Sequence, residues 1–154
     1  MRKYVQQGPN KMKLTLDTNV IISAFVGQGA PYQLLQTASK NLIEIYSSIE
    51  LLRELDSVLR RKKLVAPLTR LGIDPDLVMW HYRKICKLVS VPKGYPSVAR
   101  DPKDDMVLAC AAAAHVEAIV SGDKDLLVLN RYQNIPILRP RDALQRVMFR
   151  SGVP

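Results

Sequence analysis

The alternation of short apolar runs with helical stretches predicts an α/β protein, a three-layer α/β/α fold around a central parallel sheet of about five strands. Three observations carry this expectation. Strand-like runs recur near residues 13–16, 42–46, 88–91, 118–120 and 135–138, with helical patterns between them. The chain of 154 residues fits one domain and is long enough to bury a real core. With 47% hydrophobic and 24% charged residues it has ordinary globular composition, without repeats or low-complexity segments.

Taken in order, residues 1–11 are polar and contain Gly8-Pro9, so they read as a flexible extension before a domain over residues 12–150. No apolar centre makes this start a signal peptide, and no run approaches the ~20 residues of a membrane span. Leu14-Thr15-Leu16 forms a short strand ending abruptly at Asp17, and Thr18-Asn19 precedes a new apolar run from Val20 to Phe25. Pro31 opens a helix through Ser39, and Leu42 to Tyr46 is the second strand. Ser47-Ser-Ile-Glu50 has capping-box form. Leu51, Leu52, Leu55, Val58 and Leu59 then recur at helical spacing, and Arg60-Arg-Lys-Lys63 closes that helix with positive charge.

Residues 64–72 form a further short helix, and Asp74-Pro75 opens another that runs through Trp80 and Tyr82 towards Cys86. A strand over 88–91 ends at Pro92, followed by a loop to Pro102. Asp101-Pro102 starts a helix with Asp as N-cap and Pro at its first position. Met106 to Ala114 is apolar nearly all round, so this helix packs deep. Ala118 to Val120 is a strand ending at Ser121-Gly-Asp123-Lys-Asp125, where Asp125 is expected to cap the short helix after it. Ile135 to Leu138 reads as an edge strand because Pro136 has no N–H, and Pro140 to Arg150 forms the last helix.

The formal charge of +9 points to a polyanionic partner, nucleic acid first. Against this basic background the acids are concentrated. Seven of the 14 lie in four places: Asp17; Glu54; Asp101, Asp104 and Asp105; Asp123 and Asp125. Each has a structural alternative. An Asp after a strand is often a helix cap, Asp123 beside Gly122 fits a turn, Glu54 fits a solvated helix edge, and Asp101 is an N-cap. Asp17 and Asp123, however, each end a strand, where open α/β sheets place their ligands. Asp104 and Asp105 double the charge at the start of a deeply packed helix. Like charges gathered without a cation raise one another's pKa values and cost stability. A hard divalent cation, Mg²⁺ or Mn²⁺, resolves this with oxygen ligands. Such an ion eases deprotonation of water and steadies charge on a phosphoryl oxygen, so the chemistry implied is phosphodiester hydrolysis.

Leu16-Asp17-Thr18-Asn19-Val20, Glu54-Leu55, Asp101-Pro-Lys-Asp104-Asp105 and Ser121-Gly-Asp123-Lys-Asp125-Leu126, in this order, resemble the motifs of PIN-domain nucleases over about residues 12–142. The likeness is nearer to the toxin branch, the VapC-type toxins of toxin–antitoxin pairs. It implies Mg²⁺- or Mn²⁺-dependent cleavage of RNA, leaving a 5′-phosphate and a 3′-hydroxyl, with Asp17, Glu54, Asp104 and Asp123 as the catalytic acids. The doubled acid leaves Asp105 as a competing metal ligand, with Asp104 preferred because it places Ala109 and Ala111 at the family's small positions. Asn19 and Ser121 match positions that orient the carboxylates, with Asp101 and Asp125 in support. A small antitoxin protein and a homodimer are the partners the resemblance implies.

Three other readings compete: a housekeeping RNA-processing nuclease of this fold, a non-catalytic RNA-binding module, and a phosphatase with an aspartyl nucleophile. The phosphatase type needs an Asp two residues after the first, where this chain has Asn19. Cys86 and Cys110 have no metal-ligand spacing, so a reduced cytoplasmic compartment is the default expectation. His81 and His115 read as structural or surface residues. Trp80 and Tyr82 could stack on bases but read first as core or dimer packing, and the Arg60–Lys63 run reads first as a solvated helix end, with contact to an RNA backbone as its alternative.

Overall fold

The computed structural model describes residues 10–152. The expected extension over residues 1–11 therefore falls outside the described residues, apart from its last two. Strand β1 (Met12–Leu16) leads into α1 (Thr18–Val26) and α2 (Ala30–Ser39). Strand β2 (Ile43–Ser47) is followed by α3 (Ile49–Leu59), α4 (Lys62–Arg70) and α5 (Pro75–Ile85). The short β3 (Lys87–Leu88) precedes a long loop and α6 (Pro102–Ala114). Then come β4 (Ala118–Val120), α7 (Lys124–Leu127), β5 (Arg131–Tyr132), β6 (Ile135–Leu138) and α8 (Pro140–Ser151).

The strands form one six-stranded sheet in the order β3-β2-β1-β4-β6-β5, parallel throughout except for β5 against β6. The chain first builds outward from β1 to β2 and β3, then crosses back to place β4 on the other side of β1. The order reverses between β1 and β4, so the crevice beyond their carboxyl ends is a topological switch point. Asp17 follows β1 directly, and Ser121 to Asp123 follow β4.

Period-two alternation assigns the two faces of the sheet. Leu14, Leu16, Ala118 and Val120 join a core cluster with residues of α1, α2, α5 and α8. Ile119 and Ile137 point the other way, into a second cluster with Val107, Leu108, Cys110 and Ala111 of α6. Helix α3 straddles both, with Leu51 in the second cluster and Leu52, Leu55, Val58 and Leu59 in the first. Leu14, Ile45 and Ile119 are fully buried, and each such side chain contributes about 1.5–3 kcal/mol. The strand ends that carry the acids are thus anchored from both sides.

Four local expectations are corrected. The 88–91 strand shrinks to the two-residue edge strand β3, with Val89 N–H still donating to Ser47 O at 2.9 Å before the chain turns towards Pro92. Strand β6 is not an edge strand. Its pairing with β4 begins at Ile137, one residue after Pro136, so the missing N–H costs nothing on that side. The outer position belongs to β5, joined to β6 through Gln133 and Asn134 at φ 47° and 65°. Two consecutive positive φ values make this a type I′ hairpin turn. Finally, the N-cap of α3 is Ser48, which accepts from Leu51 N–H at 3.2 Å. Ser47 ends β2, so the third helical position is Leu51 rather than Glu50, and Glu50 sits in the first turn with no reciprocal capping role. The Arg60–Lys63 run likewise spans a helix junction, with Arg60 capping the end of α3 and Arg61 preceding α4.

Candidate active site

Asp17 serves two purposes with its two oxygens. Its backbone N–H donates to Val120 O across the sheet at 2.9 Å, which fixes the residue at the switch point. Oδ1 caps α1 by accepting from Thr18 N–H at 2.7 Å. Oδ2 accepts from Ser121 Oγ at 2.8 Å, and that hydroxyl oxygen in turn accepts from Asp123 N–H at 3.0 Å. A single serine therefore ties the ends of β1 and β4 together. Ser121 is fully buried, so the tie is held away from competing water.

Asp123, rather than Asp125, is the N-cap of α7, accepting from Asp125 N–H at 2.9 Å. Asp125 occupies the first turn of α7 and faces a neighbouring groove of about 600 Å³, which it shares with Asn19 and Asp123. Asp101 caps α6 through Lys103 N–H at 3.0 Å. That cap and Pro102 start α6 where Asp104 falls in its first turn, pointing back to the strand ends. Asp104 is buried, and its Oδ2 has no hydrogen-bond partner among the described residues.

Asp17, Asp104 and Asp123 each bring a carboxylate oxygen within 4.8 Å of the other two. Burial pushes the Asp17 carboxyl up. The bonds from Ser121 and Thr18 oppose this rise, and the charges of Asp123 and Glu54 add to it. Asp104 is pushed from 3.8 up to about 7, first by burial and then by the charges of Asp123, Asp17, Asp101 and Asp125. An orphaned buried oxygen, three convergent carboxylates and an all-oxygen donor set fit a hard divalent cation. Nothing in the trio resembles a site for a soft metal.

Glu54 and Asn19 line the same pocket, which has a volume of about 150 Å³. Glu54 lies outside the trio, on α3. Its Oε1 stands 3.6 Å from Arg61 Nη2 and 3.4 Å from Lys103 Nζ. Sequence reasoning had not linked either cation to the acids.

Asp105 faces elsewhere. Its Oδ1 accepts from Val98 N–H at 2.9 Å and Ala99 N–H at 2.7 Å, and Ser97 Oγ donates to its Oδ2 at 3.4 Å. Successive residues on a helix diverge by about 100°, and here Asp104 points to the strand ends while Asp105 points to the preceding loop. Asp105 clasps the loop before α6 and is not among the three acids whose oxygens converge. Trp80 is half exposed with Lys84 Nζ 3.5 Å from its ring centroid, and Tyr82 is buried on the opposite side of α5. Cys86 and Cys110 are buried free thiols, both pushed up to about 11 by burial. Among the described residues, no helix is long and apolar enough to cross a membrane.

The solved structure of VapBC2 from Rickettsia felis bound to a DNA fragment from their promoter contains a chain similar in fold, with a TM-score of 0.56 and 17% sequence identity. The superposition covers 83% of this chain and 98% of that one. No curated protein sequence matches. The sequence profile described as PIN domain matches residues 13–125, a stretch that contains Asp17, Glu54, Asp104 and Asp123. The chain belongs to the PIN domain family.

Proposed function

We propose that this PIN-domain protein is a divalent-metal-dependent endoribonuclease, acting as the toxin of a toxin–antitoxin pair. The observation that carries the catalytic part is the orphaned Oδ2 of Asp104, buried beside Asp17 and Asp123 in a basic protein. Asp17, Asp104 and Asp123 would hold Mg²⁺ or Mn²⁺. When bound, the ion supplies an activated water and neutralises charge on the phosphoryl oxygens. The chain's own residues do the remaining work. Ser121 fixes the orientation of Asp17 and of the backbone at Asp123, which sets the spacing of the ligands. Asn19 lines the same pocket, where the family resemblance gives it the task of orienting the carboxylates. Glu54, which lines the same pocket, provides the fourth carboxylate and would accept a proton from the attacking water. The reading has water attack phosphorus in line and leave a 5′-phosphate and a 3′-hydroxyl.

RNA is the substrate favoured by the +9 charge together with the family. The toxin role and a small antitoxin partner rest on fold likeness to a VapBC2 chain, and a homodimer rests on the family resemblance alone. The test begins with protein stripped by a chelator. Single-stranded RNA should be cleaved only after Mg²⁺ or Mn²⁺ is restored, and Asp17→Asn should abolish cleavage. Equal cleavage by the wild type and Asp17→Asn would refute the assignment. Growth arrest on expression, relieved by Asp17→Asn, distinguishes a toxin from a housekeeping nuclease.

A further inference from the structure

Arg61 and Lys103 are placed against the local rules of helix chemistry. Arg61 is the N-cap of α4 and makes no side-chain capping bond there. Lys103 is the second residue of α6, a helix that already has an Asp N-cap and two further acids in its first turn. Helix N-termini carry the positive end of the macrodipole and favour Ser, Thr, Asp or Asn at the cap, so a cation at either position opposes the helix it starts. Arg61 also stands just past the end of α3, where positive charge is favourable. Lys103 has no such local gain, and a residue that breaks a local rule in this way is a candidate for function.

Their surroundings provide the reason. Both side chains line the pocket that contains Asp17, Asp104 and Asp123. Both approach the same oxygen, Oε1 of Glu54, at 3.6 Å and 3.4 Å, too far for firm hydrogen bonds. Each cation remains about half exposed, with 49% and 48% of its side-chain surface open, while Glu54 is only 16% open. Such loose, solvent-facing ion pairs are worth about 0–1 kcal/mol, too little to account for two cations gathered on one acid. Two half-exposed positive heads beside a buried acidic cluster are suited instead to an anion that enters next to the metal site. The pocket is about 150 Å³. That is below the roughly 300–1,000 Å³ of sites for whole drug-sized ligands. A backbone phosphate fits such a space better than a base.

We propose that Arg61 and Lys103 form a phosphate clamp that grips the RNA backbone at the mouth of the acidic pocket, with Glu54 holding both cations in position until the strand arrives. This rests on the ribonuclease reading and adds the groups that bind its substrate. On binding, the two cations exchange the Glu54 carboxylate for a phosphate oxygen. Glu54 is thereby left free on the side facing the acids.

The test measures binding, not turnover. Asp17→Asn protein with Mg²⁺ is titrated against a fluorescein-labelled single-stranded RNA oligonucleotide, by anisotropy, over a series of KCl concentrations. Adding Arg61→Ala or Lys103→Ala should weaken binding and flatten the slope of log K against log salt by about 0.7 each, the value for one phosphate contact on a single strand. Arg61→Lys and Lys103→Arg should restore the slope. Glu54→Gln should tighten binding, because it removes a negative charge and frees both cations, an effect opposite in sign to the alanine variants. Arg150→Ala serves as control, since Arg150 pairs with Glu117 at the other end of β4. Melting temperatures confirm that each variant is folded. Unchanged slopes in both alanine variants, or an equal effect of Arg150→Ala, would overturn the clamp while leaving the nuclease reading intact. Absence of any RNA binding by the parent protein would overturn both.

Discussion

Replacing Asp104 by Asn should stabilise the metal-free protein and remove its response to metal. In the absence of an ion, the Asp104 carboxyl is held at about 7 against the ordinary 3.8, so charging it opposes folding. At about 1.4 kcal/mol for each pH unit, that gap corresponds to about 4 kcal/mol as an upper figure. The residue is buried, yet its carboxylate borders an open pocket where solvent screens its neighbours, which reduces the expected gain to about 1–2 kcal/mol. Asn keeps the size of the side chain and offers an N–H to the carboxylates of Asp17 and Asp123. The sign with pH is fixed. A carboxyl with a raised native pKa contributes its stability below about pH 4 and loses it as pH rises through 7. The advantage of Asp104→Asn should therefore be absent near pH 4, grow towards pH 7 and stay constant above it. At pH 8 in a chelator, scanning calorimetry should give a melting temperature higher by about 2–8 °C. With Mg²⁺ at a hundredfold its Kd, the wild type should gain about 2.7 kcal/mol and overtake the variant. A variant no more stable than the wild type in a chelator, or one equally stabilised by Mg²⁺, would refute the reasoning.

Ser121→Ala removes both the donor to Asp17 Oδ2 and the acceptor for Asp123 N–H. Mn²⁺ affinity measured by isothermal titration should fall about 10–100-fold with the fold intact. Unaltered affinity would show that the serine does not position the ligands. Asp105→Ala strips the acceptor from Val98 and Ala99 N–H, so urea unfolding should show a loss of about 2–4 kcal/mol. Metal affinity in that variant should be retained, in contrast to Asp104→Asn. Cys86 and Cys110, buried with raised pKa values, should react with a thiol reagent only at the rate of unfolding, and rapid labelling of native protein would contradict their packing.

Much of the fold was legible because strong local signals agreed with the global arrangement. Asp101-Pro102 and Asp74-Pro75 start α6 and α5 where cap chemistry places them, and the nearly all-apolar run after Met106 is indeed deeply packed. What was missed depends on tertiary pairing. Strand β5 is two residues long, and its turn uses Gln133-Asn134 instead of a glycine-bearing pair, so the sequence carries little hairpin signal. Pro136 reads as an edge residue only while the register with β4 is unknown.

The candidate site divides in the same way. Spacing placed Asp17 and Asp123 at strand ends, but could not show that one carboxylate can both cap a helix and face a cluster. Asp104 and Asp105 could not be separated by periodicity, because adjacent residues at a helix start look equivalent until the preceding loop is seen to occupy Asp105. Lys103 had a signal that went unread: a cation in a first helical turn otherwise filled with acids. Arg61 belongs to a run of four cations for which RNA-backbone contact is the alternative reading, but the run is split between two helices, so which of its members faces the acids was not legible.

The central claim is that Asp17, Asp104 and Asp123 hold a divalent cation. An anomalous difference map from a crystal soaked in Mn²⁺ tests it most directly. The account expects a peak within coordinating distance of a carboxylate oxygen from each of these three residues, including Oδ2 of Asp104, with Asp105 still bonded to the loop at 97–99. A peak ligated by Asp105, or an empty map at the trio under saturating Mn²⁺, would contradict it.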